Sequence, residues 1–234
     1  MQHLLDAVVT PVKRLAIAVA VIAAVVVLYK LKYPTYSYRY RMTVNVDVDG
    51  QLRSGSSVIE VRVSKKPQFL PDVPIIGYEV SGEAVYVDLG HQRGMVALLA
   101  SGAFAESYGY PEYLVMRHFK LDLFDGRQLA SLPTLRGSWE LTANELPTLV
   151  TFTLADDPAT LKVVRPDQLE QSFGSGVHWR GVVIEMTTAP VNHGLEARLP
   201  FLVTQKQALR ITDPTGTNER AMLSCRMSGV PIIS

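Results

Sequence analysis

The sequence is poor in cysteine. Cys225 is the single cysteine among 234 residues, so no disulfide can form within the chain. A lone cysteine close to Leu223 and Met227 is typical of a small buried apolar residue. The composition therefore fits a cytosolic domain, and equally a bacterial periplasmic domain large enough to be stable without disulfides.

An excess of one sign of charge is also missing. The chain has 23 lysines and arginines against 22 aspartates and glutamates, for a net charge of +1. Proteins that bind nucleic acids usually carry a basic surplus or a basic stripe. We therefore expect no nucleic-acid partner.

The sequence lacks the signature motifs of metal and catalytic sites. It has no H-E-x-x-H, C-x-x-C, EF-hand or G-x-S-x-G motif, and Gly174–Gly176 follows a predicted helix, whereas a phosphate loop precedes one. The five histidines lie far apart and are expected to be structural or exposed: His3, His91, His118, His178 and His193. We assign no catalytic, cofactor-binding or metal-binding residue and expect no cofactor. A triad of distant residues stays open, because triads are recognised by geometry.

One long apolar run is present near the N-terminus. Leu15–Leu28 is apolar without interruption, and the wider window Val12–Leu31 makes about 30 Å of helix, enough to cross the hydrocarbon core of a bilayer. Its charges lie at the ends, where long side chains reach the headgroups. We predict a tail at 1–11, a transmembrane helix at 12–31 with the lipid bilayer as its partner, and one soluble domain at 32–234.

Two other interpretations of this run remain open. A cleaved signal peptide also has a basic start and an apolar stretch, but bulky or rigid residues follow here from Tyr29 to Pro34, where cleavage needs small ones. A buried core helix is the second alternative. A helix that is apolar all round with lysines near both ends suits lipid better.

The orientation of the predicted span rests on competing signals. More basic residues follow the span than precede it, which favours a cytoplasmic soluble domain. Two of them, Arg39 and Arg41, belong to a predicted strand, and an early span after a short tail is typical of a signal anchor that exports the rest of the chain. We favour the bacterial inner membrane with a periplasmic domain, and we keep the cytoplasmic-facing orientation as the alternative.

The clearest local pattern in the soluble part predicts a β-hairpin. Residues 36–48 alternate between apolar and polar, as in a half-buried strand, and Asp49-Gly50 predicts a two-residue turn. Paired residue numbers should then sum to 99. This register puts Tyr40 opposite Ile59 on one face and Arg39 opposite Glu60 on the other, so apolar meets apolar and opposite charges meet.

Shorter patterns fill the rest of the domain. We predict strands at 78–89 with a possible turn or bulge at Ser81-Gly82, and at 94–100, 149–154 and 177–187. Short helices are expected after Asp157-Pro158, from Arg165 to Gly174 and at 196–199, whereas 112–119 is ambiguous. A turn is expected at 213–216. The predicted class is α+β and β-rich: a transmembrane helix, then one mainly antiparallel sheet or sandwich with a few short helices.

Three segments are candidates for binding. The segment Asn192–Arg198 is the best polar cluster and predicts a capped turn with a solvated ion pair, or else a binding loop. Arg53–Ser57 is a bulged or exposed strand half, or a ligand rim. The aromatic segment Phe104–Tyr110 could cover the core or line a groove.

Two stretches carry a family resemblance. One is Arg53–Val61, and the other runs through L-P-T-L-V-T-F, D-P and F-G-S-G to G-L-E-A-R-L-P at Gly194–Pro200. They resemble a bacterial membrane-anchored family without known function. The resemblance implies a bacterial source and an anchored architecture, but no activity. Ala197 departs from the basic residue that such proteins tend to carry, which argues against a site there.

These observations leave three functional hypotheses. The first is a non-enzymatic envelope protein that binds a protein or an envelope component through a sheet edge or the aromatic segment. The second is a membrane-tethered hydrolase whose active site has no recognisable motif. The third is a scaffold that faces the cytoplasm.

Overall fold

The computed structural model describes residues 2–68, 74–91, 93–102, 109–152 and 161–199. It divides into two compact units, Met1–Thr35 with Val63–Gly77, and Tyr36–Arg62 with Tyr78–Ser234. Cys225, Phe104, Tyr108, the helix start predicted at Asp157-Pro158 and the turn predicted at 213–216 lie outside the described residues.

The first unit contains helix α1, Gln2–Lys32, which is 31 residues long. The helix thus begins well before the predicted span and includes most of the predicted N-terminal tail. It ends two residues before Pro34, and proline disfavours continuation of a helix because its nitrogen has no hydrogen to donate. The Tyr33 amide donates to the Tyr29 carbonyl at 2.8 Å and closes the last turn.

The predicted α+β class is confirmed, with the described strands in two antiparallel sheets. The five-stranded sheet has the order β3-β2-β1-β9-β6, and the four-stranded sheet has the order β4-β5-β7-β8. The strands are β1 Thr35–Val48, β2 Gln51–Lys65, β3 Ile76–Ser81, β4 Val85–Gly90, β5 Arg93–Ser101, β6 Ser138–Glu140, β7 Pro147–Phe152, β8 Leu161–Val164 and β9 Val177–Met186. The short helices are α2 Tyr110–Phe119, α3 Gly126–Ser131, α4 Leu169–Phe173 and α5 Leu195–Arg198.

The predicted hairpin is present in the second unit. Asp49 and Gly50 have φ values of 53° and 79°, the left-handed conformation that a two-residue type I′ turn requires. The register is also confirmed, because Ser54 Oγ donates to Asn45 Oδ1 at 2.7 Å and Arg39 contacts Glu60. Both pairs sum to 99. The alternation of side chains in β1 therefore sets which face is buried.

The structure settles two points that the sequence left open. The segment 78–89 is not one strand, and the possible turn at Ser81-Gly82 is a break, because the chain leaves the five-stranded sheet after Ser81 and enters the four-stranded sheet at Val85. Gly82, with φ of 146°, lies at this crossing, and its missing side chain leaves room for the backbone of Ile59. The ambiguous segment 112–119 is helical, and it begins at Tyr110 with Pro111 in its first turn, where proline is well tolerated.

A core cluster lies on the four-stranded sheet. Its buried members are Ala84, Val96, Leu98, Ala100, Val150, Leu195 and Leu199, with Tyr86, Phe152 and Leu161 packed against them. Two of these residues come from α5 and its C-terminal end, which explains why so short a helix persists. Its burial on the sheet stabilises it, because four residues are too few to hold a helix by themselves.

Candidate functional site

The most distinctive feature of the first unit is the apolar part of α1. The window Arg14–Lys32 is 19 residues long, has a mean hydropathy of 2.3 and is 0% buried. By length and composition it can cross a membrane. A signal sequence passes the same test, but the absence of burial is unlike the core helix of a soluble domain. Tyr29 and Tyr33 pack against each other, with ring centroids 5.0 Å apart, at the end where interfacial aromatic residues are expected.

The predicted polar cluster at Asn192–Arg198 is a docked turn. The buried carboxylate of Glu83 accepts from the Gly194 and Leu195 amides at 2.8 and 2.9 Å, and so caps the first turn of α5. Asn192 Oδ1 accepts from the Val58 amide at 2.7 Å. Arg198 and Asp88 form an exposed pair at 3.9 Å. These contacts support the capped-turn interpretation with a solvated ion pair.

No sequence pattern pointed to Glu83. It lies 111 residues before the turn that it caps, and no local signal links the two segments. A glycine followed by a glutamate is a common dipeptide, so it does not indicate that the glutamate caps a distant helix. The contact depends wholly on tertiary packing.

Glu60 lies at the centre of a second polar cluster on the five-stranded sheet. Its buried carboxylate contacts Arg39 at 2.5 Å and Arg62 at 2.8 Å, and Arg62 also lies 3.6 Å from Glu79. Burial alone would raise the pKa of Glu60. The hydrogen bonds and positive charges of Arg39 and Arg62 together outweigh burial and hold that pKa below its usual range. The cluster is a satisfied ion-pair network that joins neighbouring strands.

A third cluster surrounds the start of α2. The Tyr38 hydroxyl donates to the Glu112 carbonyl at 2.9 Å, and the Tyr40 hydroxyl donates to the Pro111 carbonyl at 3.3 Å. Desolvation by burial, with the Glu112 charge as a smaller cause, raises the pKa of both hydroxyls well above the usual value. Burial and then the Tyr113 hydroxyl raise the pKa of Tyr78 to about 12. These tyrosines stay neutral, and Tyr38 and Tyr40 act as hydrogen-bond donors to the helix.

Glu112 differs from its neighbours because half of its carboxyl is unpaired. Oε2 is buried and has no hydrogen-bond partner in the described part of the chain. Burial raises the pKa of this carboxyl, although its own backbone amide opposes the change. A shallow recess lies beside α2, lined by Ser101, Tyr110, Tyr113, Leu114, Arg117, Asn144 and Glu145. Glu112 does not line this recess. The volume of the recess is about 20 Å³, which holds little more than one water.

The histidines lie in separate places. His118 stacks on Trp139 with ring centroids 3.9 Å apart, and His178 contacts Glu170 at 2.8 Å on the surface. His193 lies 3.9 Å from Glu83, and His91 occupies the turn before β5 with φ of 53°. Within the described ranges, no group of three or more metal-ligating side chains comes together.

The two remaining candidate segments lie in β2 and at the start of α2. Within Arg53–Ser57 of β2, Arg53, Ser54 and Ser56 are exposed, Gly55 is half-buried and Ser57 is buried, so the segment is exposed only in part. Within the aromatic segment Phe104–Tyr110, the structure describes Gly109 and Tyr110. Tyr110 is buried, and its hydroxyl donates to the Glu145 carbonyl at 2.8 Å. Tyr110 is therefore not part of an exposed surface.

No protein-family model, curated protein or solved structure matches the chain. The family resemblance therefore rests on the two sequence stretches alone.

Proposed function

We propose that this chain is a single-pass membrane protein of the bacterial envelope, in which α1 anchors a non-enzymatic binding or assembly domain. The observation that carries the proposal is the apolar window Arg14–Lys32, which no other described part of the chain buries. In water, a fully exposed surface of this size would be strongly unfavourable. In lipid it is favourable, because a helix also satisfies its own backbone hydrogen bonds.

The anchor is tested by alkaline carbonate extraction of membranes that contain the full chain. We expect the chain to stay in the membrane pellet. The double variant Val21→Asp/Val25→Asp should move to the supernatant, since each charge near the helix centre costs about 2.5–3.5 kcal/mol of insertion energy.

The matched control is Val21→Leu/Val25→Leu, which keeps the helix apolar and should stay in the pellet. The proposal is wrong if the wild-type chain is extracted by carbonate. It is equally wrong if N-terminal sequencing finds a mature chain that starts beyond residue 28, because that result would identify a cleaved signal peptide.

For the binding role, we propose that an extended segment of a partner protein pairs with the edge strand β8. β7 pairs with one side of β8, and no described strand pairs with the other side. Val163 is 42% exposed on this strand. An open edge offers backbone donors and acceptors that a partner strand can satisfy.

A photo-crosslinking residue at position 163 tests this contact in native membranes. We expect a discrete crosslinked adduct there. The same probe at the exposed Arg127 of α3 should give none. Equal adducts at both positions, or none at position 163, would contradict the β8 contact. No observation on the described residues favours the hydrolase alternative.

A further inference from the structure

We propose that the first unit carries a lysine patch that binds anionic phospholipid headgroups beside the anchor helix. The patch is defined by Lys30, Lys32, Lys65 and Lys66. The proposal rests on the membrane anchoring of α1, and it adds a lipid preference to it.

The fold brings the two pairs of lysines together. Lys30 and Lys32 end α1, and Pro34 follows Lys32 by two residues, at most about 7 Å of extended chain. The Lys65 amide donates to the Pro34 carbonyl at 3.1 Å. Residues that are far apart in the sequence therefore lie at the same end of the helix.

Contacts within the first unit hold the second pair in place. The Lys66 amide donates to the Ile75 carbonyl at 2.7 Å, and Ser64 Oγ donates to the Gly77 carbonyl at 3.4 Å. A side chain at position 77 would collide with the end of the Lys66 side chain. Gly77 thus leaves room for Lys66 to lie across the neighbouring backbone.

The charge of the patch is not neutralised by the described residues around it. All four lysines are exposed, and residues 14–35, 63–68 and 74–77 include no aspartate or glutamate. Asp72 belongs to the same stretch of sequence and lies outside the described residues. Lys32 contacts an aromatic ring instead, with its Nζ 5.7 Å from the centre of Tyr33.

The position of the lysine patch indicates which kind of molecule binds it. The patch begins at the last residues of the apolar window, where lipid phosphates lie if the window spans the bilayer. Lysines at this depth extend to the headgroups, where their positive charges attract the negative headgroups of anionic lipids. A dissolved anion would need an enclosing site, whereas a lipid surface presents many phosphates at once.

Amine acylation of the full chain in lipid nanodiscs tests the proposal. Modification is read by mass spectrometry at Lys65 and Lys66 in neutral phosphatidylcholine discs and in discs with added phosphatidylglycerol. In the anionic discs we expect acylation roughly fivefold slower. High salt should restore the rate, because it screens exposed charges. The exposed Lys162 of β8 serves as the internal control and should react at the same rate throughout.

A variant provides a second measurement. Lys65→Gln/Lys66→Gln should retain less phosphatidylglycerol than wild type when purified from mixed-lipid membranes, and Lys162→Gln should retain as much as wild type. Both substituted lysines are exposed, so folding should be preserved. Equal acylation rates in the two kinds of disc, or equal lipid retention by all three chains, would overturn the lysine patch and leave the anchor standing. A chain that elutes apart from the discs would overturn both.

Discussion

At the scale of single residues, buried charge in the second unit is used for structure. Glu60 and Glu83 are both buried, and each is engaged, the first by two arginines and the second by two backbone amides. A buried carboxylate that loses its partners costs far more than an exposed one. These two residues should therefore dominate the polar contribution to stability.

The substitution Glu60→Gln tests this at neutral and acidic pH. It should lower the free energy of unfolding by about 1–3 kcal/mol at pH 7, because charge-assisted hydrogen bonds are lost. The pKa of Glu60 is lower in the folded state than its ordinary value of 4.5, so the unfolded state binds more protons at acidic pH. The stabilisation is complete well above pH 4.5 and is lost as the pH falls through the folded pKa.

Urea unfolding of the full chain in detergent micelles, followed by tryptophan fluorescence, measures this effect. The difference between Glu60→Gln and wild type should shrink below pH 4.5. Arg165→Gln is the control. Its ion pair with Asp167 is exposed on both sides, and its loss should cost less than about 1 kcal/mol. Equal costs for the two variants at pH 7 would refute the central role of Glu60.

At the scale of elements, glycines allow strands to approach or turn where a side chain would prevent it. Gly55 in β2 lies against the backbone of Tyr86 in β4, and a Cβ there would overlap the Tyr86 carbonyl. Gly50 has open space around it and is needed for its positive φ alone. The two glycines thus have different physical roles within one hairpin.

Gly55→Ala should be strongly destabilising. The added methyl meets backbone atoms, which cannot rotate away, so we expect a loss of about 1–3 kcal/mol or more. Gly126→Ala at the start of α3 meets nothing within 4 Å and should be neutral or slightly stabilising. Thermal unfolding of both variants in micelles measures the difference. Equal melting temperatures would show that β2 and β4 can separate at no cost.

Gly50→Ala should cost about 1–2 kcal/mol, since alanine is strained in the left-handed region. Gly50→Asn is the matched variant and should cost less, because asparagine tolerates that conformation. The same unfolding assay compares them. A smaller loss for alanine than for asparagine would argue that the turn does not keep its type I′ geometry.

At the scale of the whole molecule, the chain joins a helix suited to lipid and an α+β body suited to water. The apolar window of α1 is unburied, whereas the strands of the second unit bury side chains, alternately along much of β1 and in an unbroken run in β5. The proposed anchoring would therefore place one chain in two solvents. Under that proposal, the side of the membrane on which the α+β body lies follows from insertion and not from packing.

A reporter fused after Ser234 decides the orientation. We expect alkaline phosphatase activity, which requires export, and no fluorescence from a cytoplasmic reporter at the same position. Substituting both Lys30 and Lys32 by glutamine should not reverse the orientation, since fewer basic residues would then follow the span. Cytoplasmic fluorescence without phosphatase activity would establish the cytoplasmic-facing alternative.

Local patterns by themselves determined much of this protein. The apolar run, the period of two in β1 and the Asp49-Gly50 turn each act through neighbours in the chain, so a window of a few residues contains the whole signal. The hairpin register followed, because one turn sets every pair. The helix predicted from Arg165 to Gly174 came from the same kind of signal, and the structure has a 3-10 turn at Pro166–Gln168 followed by α4 there.

Only the tertiary structure decided the rest. Four features depend on contacts between distant segments of the chain. They are the break between β3 and β4, the helical state of α2, the capping of α5 by Glu83 and the hydrogen bond between Lys65 and Pro34. Each local stretch was compatible with more than one conformation, and packing against the sheets selected among them. The contribution of such contacts to the free energy exists only after the chain has folded, which is why no window of the sequence displays it.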